Sequence, residues 1–212
     1  MTDEFVTIQD DEQREIGLAS KELAHRLGLW HKVFHCWVLC LVDSQPAIVL
    51  QRRSPQARVQ PNMLDASAAG HYTAGESNFQ AVRELNEELG LYPDFSELIK
   101  LGVRPEVSME KDMLIREFCH TYVYNWQGDA VGLRVQEEEL ASLVVVSLVD
   151  FEKLTAGGVS KVPSVEHLNG GSSNATFTTA NDLVTLRSTA YYHQIALACQ
   201  QVAIFGACSP IF

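Results

Sequence analysis

Residues 70–91, which read GHYTAGESNFQAVRELNEELGL, decide the fold of this chain. Ser77 and Gln80 have the spacing of a capping box, which predicts that a helix begins near Asn78. Gly90 follows the last apolar residue of the helical period and predicts the C-terminal end of the helix. The stretch is therefore predicted to form a loop, a helix and a second loop.

Three glutamates of this predicted helix, Glu84, Glu87 and Glu88, stand at positions i, i+3 and i+4, so their carboxylates lie on one face. Val82, Leu85 and Leu89 form an apolar stripe on another face, which packs on a core. Like charges at this spacing repel, and a hard divalent cation such as Mg²⁺ or Mn²⁺ would relieve the repulsion. A solvated acidic face is the alternative interpretation.

The glycine loop and the acidic helix together resemble the Nudix box, whose pattern is G-x5-E-x7-R-E-U-x-E-E-x-G-U with U an apolar residue. The matching residues are Arg83, Glu84, Leu85, Glu87, Glu88, Gly90 and Leu91. The chain departs from the pattern at one place, because six residues rather than seven separate Glu76 from Arg83. This departure lies in the half of the box that contains Glu76, and it leaves the half that carries the three glutamates unchanged.

The composition is that of a globular protein, with 212 residues of which 46% are hydrophobic. A net charge of −11 argues against binding to a nucleic acid polymer. No apolar run reaches the length of a membrane span, and no secretory signal is recognised, so the expected location is the cytoplasm, with no membrane partner. The five cysteines include no C-x-x-C pair, which indicates buried thiols rather than a disulfide framework.

The pattern along the chain predicts an α/β (α+β sandwich) architecture. The resemblance makes it a Nudix fold with a mixed central sheet. An N-terminal β-hairpin and a short helix from Ser20 to Leu27 are expected to pack on the core as segment 1–30. The Nudix domain is expected at 31–160, and 161–212 is expected to hold a linker and a C-terminal helix at 182–205. Residues 157–181 are predicted to be loop because of their Gly, Ser, Asn and Thr content. Strands are predicted at 33–42, 46–51, 63–69, 98–107, 114–125 and 143–148.

Within the superfamily, the chain looks like the subgroup related to type I isopentenyl diphosphate isomerase. His71, directly after the box glycine, and His31 match metal-binding histidines of these isomerases, and His25 lies one residue out of register with a third. Glu117 is similar to an essential isomerase glutamate. Ala69 stands where the isomerases have a catalytic cysteine.

Two isomerase requirements are thus missing, because alanine cannot transfer a proton and Ile115 replaces a second isomerase glutamate. Hydrolysis is therefore favoured over isomerisation. A ligand-sensing module without catalysis is a third interpretation, and the three intact box glutamates speak against it.

The resemblance implies metal-dependent hydrolysis of a diphosphate bond in a nucleoside diphosphate derivative or a similar small diphosphate. The metal ligands it implies are Glu84, Glu87, Glu88 and the main-chain carbonyl of Gly70, holding Mg²⁺ or Mn²⁺. Arg83 is expected to orient a carboxylate rather than to touch substrate. A homodimer is compatible with the family.

The general base is expected outside the box, either at Glu117, which is also a candidate metal ligand, or in the loop Glu137–Glu139, with Glu138 as its central candidate. Arg52 and Arg53 alternate across a strand end, so one of the two is predicted to face the cleft as a phosphate clamp. His31 and His71 complete the candidate substrate-binding set.

Overall fold

The computed structural model describes residues 4–136, 139–168 and 171–212. Its strands join in one mixed sheet that packs against helices, as predicted. The strands are β1 (Phe5–Gln9), β2 (Glu15–Ser20), β3 (Trp30–Val42), β4 (Gln45–Arg53), β5 (Leu64–Asp65), β6 (Ala68–His71), β7 (Leu98–Glu110), β8 (Met113–Asn125), β9 (Leu140–Ser147), β10 (Lys161–Leu168) and β11 (Ser173–Thr179). The helices are α1 (Lys21–Leu27), α2 (Arg83–Leu89), α3 (Leu148–Thr155) and α4 (Thr189–Phe205).

Strand β3 organises the sheet, since it pairs with β8 in parallel and with β1, β4 and β6 in antiparallel orientation. The order through the sheet is β11-β10-β9-β4-β3-β1-β2, with β5 on β4, β6 and β8 on β3, and β7 on β8. This topology places the start of β3 between β8 and the end of β6, so side chains of three distant segments meet there.

The two faces of β3 pack into two different cores, as its period of two predicts. Trp37 and Leu39 belong to a core that contains α3 and α4. Phe34 and Cys36 belong to a core that contains the apolar face of α2. The sheet therefore has helices on both faces.

The predicted N-terminal hairpin and short helix are confirmed as β1, β2 and α1. The Ser20 side chain accepts a hydrogen bond from the backbone N–H of Leu23 at 3.3 Å, which caps α1. Gly28 ends the helix with φ of 63°, a left-handed conformation that favours glycine. This cap fixes the orientation of α1 beside β8.

The predicted start of the box helix is wrong, because α2 begins at Arg83. The Ser77 hydroxyl donates to Gln80 Oε1 at 2.8 Å, and the residues between Ser77 and Val82 form turns instead of an α-helix. The predicted end at Gly90 is confirmed, with φ of 69° and a hydrogen bond from its N–H to the Asn86 carbonyl at 2.9 Å.

The C-terminal part of the chain corrects the sequence prediction at several points. The segment predicted to be loop forms the hairpin β10–β11, and β10 pairs with β9. Residues 183–187 are not helical, and α4 begins at Thr189 after an N-cap at Ser188. Thus α4 starts later than predicted, and Leu197 on this helix is 42% exposed.

Ser147 caps α3, because its side-chain hydroxyl accepts a hydrogen bond from the backbone N–H of Asp150 at 3.1 Å. The division of the chain at residues 30 and 160 stays a prediction. Within the described residues, no helix is long and apolar enough to cross a membrane.

Candidate active site

One cleft of ≈ 670 Å³ brings most of the predicted site residues together. The residues of that set that line it are Arg53, Gly70, His71, Glu84, Glu87, Glu88 and Glu117. His31 lies fully buried behind the wall, and Glu138 lies outside the described residues. Glu139, from the same predicted loop, does line the cleft.

The box helix lies very close to the backbone of β6. A Cβ atom on Gly70 would come within 2.0 Å of Glu84 Oε1, so any side chain at this position would displace the glutamate. The backbone N–H of Ala69 donates to Glu88 Oε2 at 3.0 Å. The missing side chain at Gly70 and this hydrogen bond place a pair of buried carboxylates against β6, the strand that contains the box glycine.

Burial sets the proton affinity of these two carboxylates. It raises the pKa of Glu84 to about 7, although the Arg83 guanidinium works in the opposite direction. Burial, with the neighbouring Glu84 charge, raises the pKa of Glu88 well above its ordinary value. Two buried carboxyl groups with raised pKa values form a site where an added cation would be strongly stabilised.

Arg83 connects the acidic residues of the box. Its Nε donates to Glu76 Oε1 at 2.8 Å, and its Nη1 lies 2.8 Å from Glu84 Oε1 and 2.8 Å from Glu87 Oε2. Its Nη2 also donates to the carbonyl of His71 at 3.2 Å. The shortened box thus keeps a Glu76–Arg83 ion pair, and Arg83 holds carboxylates in place.

A second group, the histidine group, consists of His25, His71 and Glu117, which line the same cleft, and of His31, which is buried beside them. Within the described residues it is the one set of three or more His, Cys, Asp or Glu whose ligand atoms all lie within 4.8 Å of one another. Nε2 of His71 lies 3.3 Å from Nε2 of His25 and 3.6 Å from Glu117 Oε1. The three box glutamates, which the sequence favoured as the metal site, do not meet this criterion.

The sheet register explains how the histidine group forms. His31 of β3 lies directly opposite Glu117 of the parallel strand β8. His71 of β6 lies opposite Val33, two residues along β3 and on the same face as His31. The fourth member, His25, comes from α1, which the Ser20 cap and Gly28 hold in position.

The protonation of the imidazoles suits metal binding. His31 Nδ1 lies 2.8 Å from the Leu29 carbonyl, to which it must donate, so Nε2 carries the lone pair. That Nε2 atom is buried and has no hydrogen-bond partner in the described structure. Burial lowers the pKa of His25 to about 4 and that of His71 to about 3, which keeps both rings neutral at pH 7.

Of the two arginines predicted as alternatives, Arg53 lines the cleft. Arg52 does not, since its Nε donates to Glu166 Oε1 of β10 at 2.6 Å. Of the two alternatives, Arg53 is therefore the one that faces the cleft, and a role of either arginine in substrate binding stays a prediction.

Sequence reasoning missed several cleft residues. Lys21, Arg58 and Arg187 bring further positive charge to the wall. Arg187 is buried, with Nη1 2.5 Å from Asp65 Oδ1 and Nη2 3.0 Å from His35 Nε2. No local motif marks these residues, because they enter the cleft from an α-helix, a loop and the C-terminal segment.

The comparisons with known proteins agree with this architecture. The model of the NUDIX domain family matches residues 29–168. An uncharacterized Nudix hydrolase of Clostridium acetobutylicum is 38% identical over 153 residues, which are 72% of this chain and 74% of that protein. An isopentenyl-diphosphate Delta-isomerase of Serratia proteamaculans is 29% identical over 131 residues, which are 61% of this chain and 70% of that protein.

Solved structures share the fold at low sequence identity. DR0079 of Deinococcus radiodurans is similar with a TM-score of 0.52 and 20% identity, over 73% of this chain and 90% of that one. A MutT/nudix family protein of Enterococcus faecalis is similar with a TM-score of 0.50 and 13% identity, over 94% of this chain and 69% of that one. The chain therefore belongs to the Nudix family and is a Nudix hydrolase of the pyrophosphohydrolase class.

Proposed function

We propose that this enzyme hydrolyses the diphosphate bond of a nucleoside diphosphate derivative or a similar small diphosphate, and that it requires Mg²⁺ or Mn²⁺. The observation that carries the proposal is the pair of buried box carboxylates, Glu84 and Glu88, in a cleft whose wall also carries Lys21, Arg53 and Arg58. A diphosphate in this cleft can bind both to a cation held by the two carboxylates and to the guanidinium or ammonium groups of the basic residues.

The residues present fit a divalent cation at two places in the cleft. At the box, Glu84, Glu87, Glu88 and the carbonyl of Gly70 would hold it, and the raised pKa values of the two buried carboxyls support this fit. At the histidine group, the unpartnered His31 Nε2 supports the fit of a second ion. A bound divalent cation would offset phosphate charge and lower the pKa of water.

Other residues of the cleft would position the carboxylates, complete the metal ligands and accept the proton of the attacking water. Arg83 keeps Glu84 and Glu87 oriented through its ion pairs and does not need to touch the substrate. The contacts of Glu117 with His25 and His71 favour a ligand role for Glu117. Glu139, which is exposed at the cleft, is then the candidate that accepts the proton of the attacking water.

The basic residues would bind the diphosphate. The Nε–H of Arg53 donates to the Val59 carbonyl at 3.0 Å, and its Nη1 lies 3.4 Å from Asp65 Oδ2. These two contacts fix the position of the guanidinium at the cleft. A fixed guanidinium matches two phosphate oxygens better than a freely rotating ammonium group. Lys21 and Arg58 would add charge nearer the opening.

Isomerisation of isopentenyl diphosphate is the second candidate, because the histidine group contains residues that match isomerase ligands. Ala69 and Ile115 both line the cleft, so neither of the two isomerase groups that they replace is supplied at these positions. A cleft without these acid–base groups favours hydrolysis.

The proposal is tested by phosphate and nucleotide release from ADP-ribose, NADH, dinucleoside polyphosphates, nucleoside triphosphates, short alkyl diphosphates and isopentenyl diphosphate. Each reaction is run with Mg²⁺, with Mn²⁺ and with a chelator. We expect cation-dependent cleavage of one diphosphate class. Double-bond migration in isopentenyl diphosphate without phosphate release, or cleavage that a chelator does not affect, would contradict the proposal.

A further inference from the structure

The segment 183–187 enters the cleft from the C-terminal part of the chain, outside residues 29–168, which match the NUDIX domain. It is held against the sheet at β5, where the backbone N–H of Val184 donates to the Leu64 carbonyl at 2.9 Å. Its last residue, Arg187, lines the cleft and is buried. The cleft thus contains an arginine that the matched domain does not supply.

The guanidinium of Arg187 is surrounded by polar side chains on three sides. Its Nη1 donates to Asp65 Oδ1 at 2.5 Å, and its Nη2 donates to His35 Nε2 at 3.0 Å. Its Nε lies 3.5 Å from Glu106 Oε2. Since Arg187 is only 8% exposed and its guanidinium faces these three side chains, we expect it to act on a substrate through a neighbour rather than by direct contact.

Asp65 is that neighbour, because its carboxylate lies between two arginines. Its Oδ1 accepts from Arg187, while its Oδ2 lies 3.4 Å from Nη1 of Arg53. The Asp65 side chain is 3% exposed and the Arg53 side chain 28%, so the carboxylate is buried while the second guanidinium reaches the cleft. Although burial raises the pKa of Asp65, the two guanidiniums lower it more, and the carboxyl is ionised at pH 7. Arg187, at the shorter distance, therefore compensates most of this buried charge.

A buried carboxylate that loses its ion-pair partner is costly, so Asp65 without Arg187 would draw Arg53 into a close ion pair. The guanidinium of Arg53 would then be less available to a phosphate. We infer that Arg187 is a positioning residue for diphosphate binding: it compensates the charge of Asp65 and leaves the Arg53 guanidinium free to bind phosphate. This inference rests on the proposed function, and it makes the basic side of the cleft depend on a residue from outside the matched Nudix domain.

The first test is Arg187→Gln in the full chain, with kcat and KM measured for the diphosphate that the release assay identifies. We expect KM to rise about tenfold and kcat to stay within about twofold, because a charged contact made equally to substrate and transition state is weakened. Calorimetry with Mg²⁺ and methylenediphosphonate, a diphosphate analogue that cannot be hydrolysed, should show a similar loss of affinity.

Two double variants separate charge compensation from a merely structural role. Asp65→Asn keeps an oxygen for Arg53 but removes the buried charge, so adding it to Arg187→Gln should return KM to within about threefold of the wild-type value. Arg53→Gln removes the group through which Arg187 acts, so Arg187→Gln should change KM less than about twofold in that background. If Arg187→Gln alone does not fold, the double variant with Asp65→Asn carries the test, and a raised KM in that folded protein would contradict the inference.

The control is Arg14→Gln, since Arg14 is exposed between β1 and β2 and does not line the cleft. It should leave KM unchanged, and thermal unfolding of each variant identifies loss of the fold. An unchanged KM in folded Arg187→Gln, or a raised KM that Asp65→Asn does not reverse, would overturn the inference and leave the proposed function standing. A wild-type chain that neither binds methylenediphosphonate nor hydrolyses any diphosphate would instead overturn the proposed function.

Discussion

The two candidate cation positions of the cleft are built in different ways. The box carboxylates Glu84 and Glu88 stand on a single short helix, four residues apart. The histidine group takes His25 from α1, His31 from β3, His71 from β6 and Glu117 from β8. The first position depends on local helix geometry and the second on sheet register, so a substitution at one should affect binding at the other weakly.

The strongest test of the local position is Glu88→Gln, which keeps an oxygen for the hydrogen bond from the N–H of Ala69 but removes the charge. We expect kcat to fall by about 10³-fold, since a charged group next to the reacting phosphate is lost. The free energy of unfolding should stay equal or rise, because a costly buried carboxylate disappears. Steady-state kinetics and thermal unfolding measure the two effects.

A matched control for this variant is Glu152→Gln, because Glu152 lies on α3 and does not line the cleft. It should leave kcat unchanged. Full activity of Glu88→Gln would show that the box carboxylates are a buried acidic pair without a role in turnover, and the comparison between the two positions would lose its functional meaning.

His71→Ala addresses the position built from four elements. Removal of one of its direct ligands should weaken Mn²⁺ binding there by at least the ~10- to 100-fold that loss of an outer-shell partner costs at protein metal sites. Titration calorimetry should then show one class of site weakened and the other preserved. His193→Ala, on α4 and outside the cleft wall, serves as the control. Loss of both classes in His71→Ala would mean that the two positions form one coupled centre.

The same difference explains what could be predicted from the sequence. The box glutamates were predictable because residues at i, i+3 and i+4 share a helix face whatever the rest of the chain does. In the sequence, His25 lies one residue out of register with the corresponding metal-binding histidine of the isomerases. It belongs to the histidine group because of where α1 lies beside β8. A short-range sequence pattern does not encode the position of one helix beside a distant strand.

The hairpin β10–β11 was missed for another physical reason. The Gly, Ser, Asn and Thr residues of 157–181 indicate loop by composition, but Val165 of β10 pairs opposite Val145 of β9, and Thr178 donates to Ser164 at 2.9 Å. Pairing with an existing strand edge overrides weak local preference. Arg187 likewise becomes a cleft residue through its pairing with Asp65, 122 positions earlier in the chain.

The smallest expected effect is on thermal stability. The pH dependence of the unfolding temperature should differ between variants of the box carboxylates and variants of the histidine group. Because burial raises the pKa of Glu84 to about 7, its contribution to stability is fully present below its unfolded value of 4.5 and is lost as the pH rises through 7. Chelator-treated protein should therefore lose stability through this group between pH 5 and pH 8. Saturating Mn²⁺ should raise Tm by about 5 °C or more at pH 8 and by less at pH 5, where protons compete for the carboxylates.

Glu84→Gln should flatten the fall in stability between pH 5 and pH 8 in chelator, whereas Glu12→Gln, on the exposed β1–β2 turn, should not change it. His71→Ala should also preserve it, since that variant leaves the local carboxylates in place. If the fall persists in Glu84→Gln and disappears in His71→Ala, the titrating centre is the histidine group. The position assembled from four elements, rather than the helix of the box, would then control the charge of the cleft.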